Sequence, residues 1–401
     1  MALDGPKGVG KTATASRRAQ TVYRFDETVA RELAAADLSR IDAADGTVLL
    51  DEWQRLPAVW DHVRRAVDDG ALAGRYLLTG SAAPTSPTHS GAGRIVSLRL
   101  RPMALAERGL QTPAVSLGAL LSGQRSNLGG ESSLTLVDYV EQVLASGLPG
   151  IRTLRPAGRQ VQLSGYIDRV VERDLGEQGL RLRRPQTLRR WLTAYAAATA
   201  TTTSDNALLA AATPGETDKP AKTTTFAYRD VLSQLWLLDP VPGWAPGRHH
   251  LNRLGQAPKH HLADPAFAAS LLGAGLDSLL DGTPAGPTTA RDGTLLGALF
   301  ESLVTLSTRV YAQACGATTW HLRTAGGEHE VDLILQRPDG RVVAIEVKLG
   351  VAVGDRDVRH LHWLREHLGD VLLDAAVVTT GPYAYRRSDG IAVIPAALLG
   401  P

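Results

Sequence analysis

A glycine-rich stretch near the start of the chain decides the fold: Gly5-Pro6-Lys7-Gly8-Val9-Gly10-Lys11-Thr12. It fits the phosphate-binding pattern G-x-x-x-x-G-K-[ST] at every fixed position. Glycines let consecutive backbone N–H groups turn inward around a phosphate, because no Cβ is in the way. We expect Lys11 to reach the β- and γ-phosphates and the Thr12 hydroxyl to bind Mg²⁺. The stretch therefore predicts a P-loop with ATP and Mg²⁺ as its ligands.

Two features of the surrounding sequence bear on this prediction. The 401 residues contain only six lysines, so a chance match is on the order of one in a hundred. The alternative is a glycine turn that caps an ordinary helix. Only residues 1–4 precede the loop, fewer than a central strand usually has. We therefore expect either a weak first strand or a misplaced start codon, and we favour the misplaced start.

An apolar strand over residues 46–52 ends in two acids, Asp51 and Glu52. A buried parallel strand delivers such side chains to its carboxyl end, where α/β proteins bind ligands. This is the Walker B arrangement, in which Asp51 would hold the Mg²⁺ shell and Glu52 would orient or deprotonate the attacking water. The alternative is a strand that ends in a solvated acidic loop. The upstream P-loop favours the functional interpretation.

Two further positions are candidates for contacts to the γ-phosphate. The strand over residues 75–81 ends in small hydroxyl residues, and Ser81 or Thr79 could sense the phosphate. A plain transition from strand to turn explains them equally well. Arg94 follows a flexible glycine approach, and its guanidinium could stabilise phosphate charge in its own or a neighbouring subunit. The alternative is an ordinary surface arginine.

Composition bounds the class of protein. The net charge is only +2, so a nucleic-acid site would have to be a local patch. The single cysteine, Cys315, excludes an internal disulfide framework and agrees with a reducing cytoplasm. The chain has no run of about 18 apolar residues, and its start does not resemble a secretory signal. We therefore expect a cytoplasmic protein with no membrane partner.

The middle of the chain is predicted to be helical. Helices are expected over residues 134–145, 159–175, 187–195 and 226–238, with a flexible Ala/Thr-rich insertion at 196–225 and a linker at 281–290. Helices followed by a short extended hairpin are compatible with a winged-helix module. Five arginines could form a face that contacts DNA phosphates, although a solvated helix face explains such a run more often; they are Arg181, Arg183, Arg184, Arg189 and Arg190.

The last part of the chain carries a second group of charged residues. Two β-rich runs flank Pro338-Asp339-Gly340, a hairpin signal. If Leu335 pairs with Arg341, the period of two places four charged side chains on one face: Glu330, Asp332, Glu346 and Lys348. Three acids on one face are unfavourable unless a cation neutralises them or water reaches them.

Asp332, a 13-residue spacer and Glu346-Val347-Lys348 match the D…E-x-K core of the PD-(D/E)xK nucleases. In that pattern Asp332 and Glu346 would hold Mg²⁺, and Lys348 would position or activate the attacking water. Glu301, on the preceding helix, would belong to the same nuclease-like site. The alternative is an exposed hairpin with salt-bridged charges. A fold of this kind does not establish activity.

The motifs together resemble a family of bacterial and archaeal AAA-type ATP-binding proteins with a C-terminal domain of unknown function, DUF4143. In addition to the residues above, the matching motifs are Leu49-Leu50-Asp51-Glu52-Trp53-Gln54, Leu78-Thr79-Gly80-Ser81, Gly93-Arg94, Arg101-Pro102-Met103, Gly147-Leu148-Pro149-Gly150 and Phe300-Glu301. They span nearly the whole chain in the family's order. The sequence departs from the family in lacking its leading segment and most of the first strand, which puts adenine binding in doubt.

The resemblance implies an α/β fold with three parts. These are a P-loop AAA ATPase core, N-terminally short, at residues 1–110, a helical, winged-helix-like middle at 131–270, and a restriction-endonuclease-like α/β domain at 291–401. Our leading hypothesis is an ATPase whose nucleotide state is passed to the C-terminal module. The alternatives are an ATP-gated, Mg²⁺-dependent DNA nuclease and a non-catalytic, nucleotide-dependent binding module. DNA is a candidate partner, and AAA proteins often form homo-oligomers.

Overall fold

The computed structural model describes residues 1–80, 90–125, 128–177, 185–214, 222–245, 256–280, 293–324 and 326–401. Its N-terminal part is built on a parallel sheet in the order β2-β3-β4-β1-β5. The strands are β1 (Ala2–Asp4), β2 (Thr21–Arg24), β3 (Val48–Asp51), β4 (Tyr76–Thr79) and β5 (Ser97–Arg99). Strands β3 and β4 are buried along their whole length, as expected for parallel strands covered on both faces.

The first strand has only three residues, yet it lies inside the sheet. It pairs with β4 on one side and β5 on the other. Ala2 and Leu3 are both buried, so apolar packing holds the short strand in place. After β1 the chain crosses to β2, which lies beyond β4 and β3 at one edge of the sheet. The carboxyl end of β1 therefore faces a point where the strand order reverses, which is the usual place for a ligand crevice.

The described residues around this sheet also form helices. They are α1 (Lys11–Ser16), α2 (Thr28–Ala36), α3 (Ser39–Asp42) and α4 (Ala58–Asp68). The strands predicted over residues 46–52 and 75–81 correspond to β3 and β4.

The middle of the chain is helical in its described residues. Its helices are α5 (Leu117–Ser122), α6 (Leu136–Leu144), α7 (Pro149–Arg152), α8 (Pro156–Arg169), α9 (Leu175–Glu177), α10 (Pro185–Ala197), α11 (Asp205–Ala212), α12 (Lys222–Gln234), α13 (Pro265–Leu272) and α14 (Leu276–Leu280). A π-helical turn, Val170–Asp174, joins α8 to α9. Such turns inside helices are rare and often lie at functional sites.

The prediction of a flexible insertion at residues 196–225 is wrong for Asp205–Ala212, which form α11. Ser204 caps this helix by accepting a hydrogen bond from the backbone N–H of Ala207. Leu208 and Ala212 are buried in the helical core. Apolar residues at helical spacing therefore order a segment whose composition indicated flexibility. Residues 215–221 of the insertion and the linker at 281–290 lie outside the described residues.

The C-terminal sheet has the order β12-β13-β11-β10-β9-β8-β7. Its strands are β7 (Gly243–Trp244), β8 (Thr318–Arg323), β9 (Glu330–Gln336), β10 (Val342–Lys348), β11 (Leu372–Thr379), β12 (Tyr385–Arg386) and β13 (Ala392–Pro395). Helices α15 (Gly293–Ala314) and α16 (Asp355–Leu368) pack against it. A separate pair joins β6 (Val115–Ser116) to β14 (Leu399–Gly400).

The β9–β10 hairpin forms with a register different from the predicted one. Leu335 pairs with Val343, not with Arg341, and Leu333 pairs with Ile345. The difference is two residues, which is the side-chain period of a strand. The predicted face of charged residues therefore survives the shift, and continuing this register places Asp332 opposite Glu346.

The helical middle and the C-terminal part share one apolar core. Tyr139 of α6 packs edge-on against Phe300 of α15, with ring centroids 5.4 Å apart. Antiparallel bridges join Leu238 to Leu262 and Val241 to Lys259, and the chain continues directly into β7 of the C-terminal sheet. The extended pair that suggested a wing is thus attached to the last domain. The winged-helix and endonuclease-like folds stay predictions.

None of the helices in the described ranges combines the length and the apolar character needed to cross a membrane.

Candidate functional site

The predicted P-loop leaves the carboxyl end of β1 through three glycines with positive φ. Gly5, Gly8 and Gly10 have φ of 149°, 74° and 99°. A Cβ on Gly5 would lie 2.2 Å from the backbone oxygen of Leu100, so this position has no room for a side chain. The loop therefore requires glycine for its conformation and for its close approach to the segment after β5.

Lys11 is buried beneath the loop, only 7% exposed. Its Nζ donates hydrogen bonds to the backbone oxygens of Gly5 and Pro6, at 2.7 and 2.9 Å. Burial lowers the pKa of Lys11 to about 8, although the nearby carboxylates, Glu52 foremost, act in the opposite direction. The ammonium thus contacts loop carbonyls at the position from which it would reach a phosphate.

The two predicted Mg²⁺ ligands meet at the carboxyl end of β3. The Thr12 hydroxyl donates to Asp51 Oδ1 at 2.8 Å, and the Thr79 hydroxyl donates to the same oxygen at 2.5 Å. A hydroxyl and a carboxylate are the hard oxygen donors that Mg²⁺ prefers. The residues present therefore fit a magnesium ion held by Thr12 and Asp51.

Glu52 has a left-handed backbone with φ of 54°, an uncommon conformation for a residue with a side chain. Its Oε2 accepts a hydrogen bond from Gln54 Nε2 at 2.5 Å. Strained backbone of this kind clusters at functional sites. The turn directs the chain away from the sheet immediately after Asp51, so both acids lie at the edge that carries the P-loop.

The structure separates the candidates for γ-phosphate contacts. Thr79 lies beside Asp51, whereas Ser81 lies outside the described residues. Arg94 precedes β5 and therefore lies at the sheet edge opposite to the P-loop. Its Nε donates to Asp68 at 2.7 Å on the surface. This geometry corrects the prediction for its own subunit; a role in a neighbouring subunit stays a prediction.

The helical middle closes one side of the P-loop, which sequence reasoning missed. Lys7 Nζ lies 2.7 Å from Asp174 Oδ1, and the Tyr166 hydroxyl donates to the backbone oxygen of Lys7 at 3.3 Å. Pro149 lies 4.0 Å from the position of a Cβ on Gly10. A basic cleft of about 370 Å³ opens here, lined in part by Lys7, Arg55, Arg169 and Arg173. The π-helical turn that presents Asp174 had no sequence signal.

A buried ion cluster links all three parts of the chain. Asp239 is 4% exposed and lies 2.8 Å from each of three guanidinium groups, those of Arg99, Arg101 and Arg309. Burial alone would raise the pKa of Asp239, but the three arginines lower it to about 2. The backbone N–H of Asp239 also donates a hydrogen bond to the backbone oxygen of His261 at 2.9 Å. This cluster connects the end of β5 to the extended pair beside the C-terminal sheet.

The predicted nuclease-like residues lie together, but an unpredicted lysine, Lys259, lies among them. Lys259 Nζ lies 2.9 Å from Glu301, 3.0 Å from Asp332 and 3.3 Å from Glu330. Lys259 is 1% exposed. A signal was present in the sequence, since lysine is scarce and this one sits in an extended run. The ammonium of Lys259 is therefore one cation that neutralises Glu301, Glu330 and Asp332.

The other half of the cluster is formed by Glu346 and Lys348. Lys348 Nζ lies 2.9 Å from Glu346 Oε2, and Asp332 Oδ2 accepts a hydrogen bond from the Val347 N–H at 2.9 Å. Burial and the neighbouring Asp332 raise the pKa of Glu346 well above its ordinary value. Within the described ranges, no group of three or more His, Cys, Asp or Glu residues has the arrangement of a metal site. Metal binding by Asp332 and Glu346 stays a prediction.

Two arginines of the run lie in the described residues, and both have interaction partners. Arg189 makes an ion pair with Asp168, and Arg190 also has an interaction partner. Arg181, Arg183 and Arg184 lie outside the described residues. DNA binding at this surface stays a prediction.

Comparisons with known proteins match three parts of the chain. Residues 1–108 match the family described as AAA domain, residues 136–278 a domain of unknown function (DUF8612), and residues 296–399 a domain of unknown function (DUF4143). The chain therefore carries an AAA-type ATPase domain, which supports ATP binding and hydrolysis, and a C-terminal DUF4143 domain. This confirms the resemblance at that level, and the nuclease-like assignment stays a prediction.

Two curated relatives are uncharacterized proteins of mycobacteria. Uncharacterized protein Rv2008c of Mycobacterium tuberculosis and uncharacterized protein Mb2031c of Mycobacterium bovis are each 24% identical over 404 residues. Each alignment covers 98% of this chain and 79% of the relative. Among solved structures, the Walker-type ATPase PABY2304 of Pyrococcus abyssi is 15% identical, with a TM-score of 0.35, covering 68% of this chain and 90% of that one.

Proposed function

We propose that residues 1–110 bind Mg-ATP and hydrolyse it at the P-loop. The observation that carries this proposal is the convergence of Lys11, Thr12, Asp51 and Glu52 at one sheet edge. Lys11 would neutralise the β- and γ-phosphates, and Thr12 and Asp51 would hold Mg²⁺. Mg²⁺ would supply neutralisation of the charge that develops on the phosphates. Glu52 would orient or deprotonate the attacking water.

The test separates ATP binding from hydrolysis. Lys11→Ala should abolish the calorimetric signal for Mg-ATP. Arg18→Ala, which removes an exposed cation beyond α1, should bind Mg-ATP as the parent does.

Glu52→Gln should keep ATP binding and lower ATP turnover by at least about 100-fold, the usual contribution of a general base. Glu32→Gln on the exposed face of α2 is its control. Unchanged turnover in Glu52→Gln would overturn the assignment of Glu52.

We further propose that the nucleotide state is passed to the C-terminal module. Two sets of contacts support this: Tyr166, Asp174 and Pro149 against the P-loop, and Asp239 between Arg99, Arg101 and Arg309. If Asp239 carries this coupling, Asp239→Asn should leave Lys11-dependent ATP binding intact and abolish the effect of ATP on hydrogen exchange in β9 and β10. An unchanged ATP effect in that variant would refute the route through Asp239.

A Mg²⁺-dependent DNA nuclease gated by ATP is the second candidate function, because Asp332, Glu346 and Lys348 lie together at the end of the hairpin. Purified protein should then cleave DNA, and the Lys348→Ala variant should not.

The third candidate function, a non-catalytic binding module, is favoured by the internal ammonium of Lys259. It requires DNA or protein association without cleavage in any metal. Salt-insensitive binding would argue against a DNA partner.

The remaining proposals concern assembly and location. Exposed Arg94 could complete the ATP site of a neighbouring subunit in a homo-oligomer. Arg94→Ala should then lower ATP turnover without changing ATP binding by the isolated subunit. The single cysteine is consistent with a cytoplasmic protein.

A further inference from the structure

The basic cleft beside the P-loop lies at the end of the loop that would face the γ-phosphate. Lys11 marks this end, because its ammonium contacts the backbone oxygens of the two residues directly before Lys7. In a P-loop this ammonium reaches the β- and γ-phosphates. Arg55, three residues beyond Glu52 in the chain, lines the same cleft. The cleft therefore joins Lys7 to the segment that follows the Walker B acids.

The cleft carries an excess of positive charge. Among the described residues that line it, one is acidic, Asp174, and the basic ones are Lys7, Arg55, Arg169 and Arg173. A concave site lined mainly by one sign of charge concentrates ligands of the opposite sign. ATP has one phosphate more than ADP, and in the proposed site that phosphate would bring its negative charge to this end of the loop.

The backbone of Lys7 is held in place, whereas its side chain can change partner. The Tyr166 hydroxyl donates to the backbone oxygen of Lys7 at 3.3 Å. The Tyr166 ring packs against buried Phe267, with ring centroids 4.9 Å apart. The side chain of Lys7 is 41% exposed and has a flexible four-carbon stem. Its ammonium can therefore move without a change in the loop backbone.

Asp174 is the counter-charge of Lys7 in the nucleotide-free chain. Its Oδ1 lies 2.7 Å from Lys7 Nζ, and its side chain is 9% exposed. Asp174 ends the π-helical turn and so belongs to the helical middle, not to the P-loop. A carboxylate offers an ammonium negative charge and acceptor oxygens, as a phosphate does. The γ-phosphate would therefore compete with Asp174 for the same donor.

We propose that Lys7 distinguishes ATP from ADP: its ammonium pairs with Asp174 when the γ-phosphate is absent and with the γ-phosphate when ATP is bound. The inference rests on the proposed Mg-ATP site and adds a residue that determines which nucleotide this site prefers. Transfer of the ammonium releases Asp174. The π-helical turn is then the part of the helical middle that responds to ATP and not to ADP.

The experiment compares calorimetric affinities for Mg-ADP and for the Mg²⁺ complex of the β,γ-imido analogue of ATP, which resists hydrolysis. Lys7→Met should weaken binding of the analogue by about tenfold, the effect of losing one charge-assisted hydrogen bond. It should leave the affinity for ADP unchanged. Lys7→Arg, which keeps the positive charge, is the matched control and should retain the preference of the parent for the analogue.

Asp174→Asn tests the competition from the other side. It removes the anion that Lys7 must leave, so the analogue should bind about 2- to 5-fold more tightly, as expected for a partly exposed ion pair. The affinity for ADP should not change. Glu172→Gln alters an exposed acid on the same turn and should bind both nucleotides as the parent does.

Two results would overturn the inference. One is a Lys7→Met variant that loses affinity for both nucleotides equally or for neither. The other is weaker binding of the analogue in Asp174→Asn, because Asp174 would then orient Lys7 toward the phosphate and not compete with it. If Asp174→Asn does not fold, the result with Lys7→Met decides alone.

The same titrations separate this inference from the proposed ATP site. A parent chain that binds neither nucleotide would refute the ATP site itself, and the role of Lys7 with it. Binding that depends on Lys11, with a ratio of the two affinities that is the same in the parent and in Lys7→Met, would refute only the role of Lys7.

Discussion

Burial of Lys11 sets the protonation of the residue that would contact the phosphates of ATP. Its pKa is lowered to about 8 in the free protein. The phosphates of ATP would raise this pKa, because they stabilise the ammonium form. Binding should therefore take up protons just above pH 8, and affinity for Mg-ATP should fall as the pH rises past this value.

The measurement is calorimetric titration in two buffers with different ionisation enthalpies. Just above the pKa of Lys11 the two observed enthalpies should differ, and near neutral pH the difference should vanish. Equal enthalpies in both buffers at the higher pH would contradict the assignment of the low pKa to Lys11.

Gly5 is limited by space as well as by conformation. In Gly5→Ala, the new Cβ would lie 2.2 Å from the Leu100 oxygen at a φ of 149°. Strain of this kind costs about 1–3 kcal/mol, and the added clash should displace the P-loop and weaken ATP binding. Gly74→Ala is the matched control, since its φ is 81° but nothing lies within 4 Å. Equal losses of unfolding free energy in the two variants would show that the clash is relieved.

At the scale of elements, Asp264 joins a helix start to the turn that covers the P-loop. Its Oδ1 accepts from the Ala266 N–H at the start of α13. Its Oδ2 accepts from the Ser146 hydroxyl and the Gly147 N–H, both at 2.7 Å. The buried carboxylate of Asp264 therefore holds the start of α13 against the turn at Ser146 and Gly147.

Asp264→Ala should lower the free energy of unfolding by about 2–4 kcal/mol, because it removes a helix cap and leaves a buried N–H unpaired. Ser204→Ala removes only the cap of α11 and should cost about 1 kcal/mol. Denaturant titration of both variants tests this difference. A loss in Asp264→Ala no larger than in Ser204→Ala would mean that the turn at Gly147 is held by other contacts.

At the scale of the whole molecule, the cluster around Asp239 ties the three parts together. Asp239→Asn would leave three guanidinium groups without their shared counter-charge. We expect a loss of about 3–5 kcal/mol in the free energy of unfolding, typical of breaking a buried pair. Asp68→Asn breaks the solvent-accessible pairs with Arg94 and Arg64 and should change stability little. If Asp239→Asn changes the free energy of unfolding as little as Asp68→Asn does, Asp239 does not tie the three parts together.

The same cluster predicts a dependence on pH. The pKa of Asp239 is about 2 in the folded chain, below the value of about 3.9 in an unfolded chain. The stabilisation is therefore present above about pH 4 and is lost as the pH falls toward 2. The melting temperatures of the parent and Asp239→Asn should converge over this interval. A constant difference down to pH 2 would contradict the low pKa.

The sequence predicted the N-terminal half of the candidate site because its residues are contiguous or follow a strand end. The P-loop is one stretch of eight residues, and Asp51 and Glu52 end a strand whose apolar run is plain. Period-two alternation likewise placed Glu330, Asp332 and Glu346 on one face. That placement survived a wrong register because the error equalled one side-chain period.

Only the tertiary structure decided which distant side chains meet. Lys259 is 42 residues from Glu301 and 73 from Asp332, and no local pattern encodes such a contact. Asp174 reaches Lys7 through a π-helical turn, and Arg94 lies at the wrong edge of the sheet because of strand direction. The sequence by itself predicted the P-loop and Walker B residues, since contiguous positions and a strand end specify them. Chain packing determined that the protein's own lysine lies among the C-terminal acids.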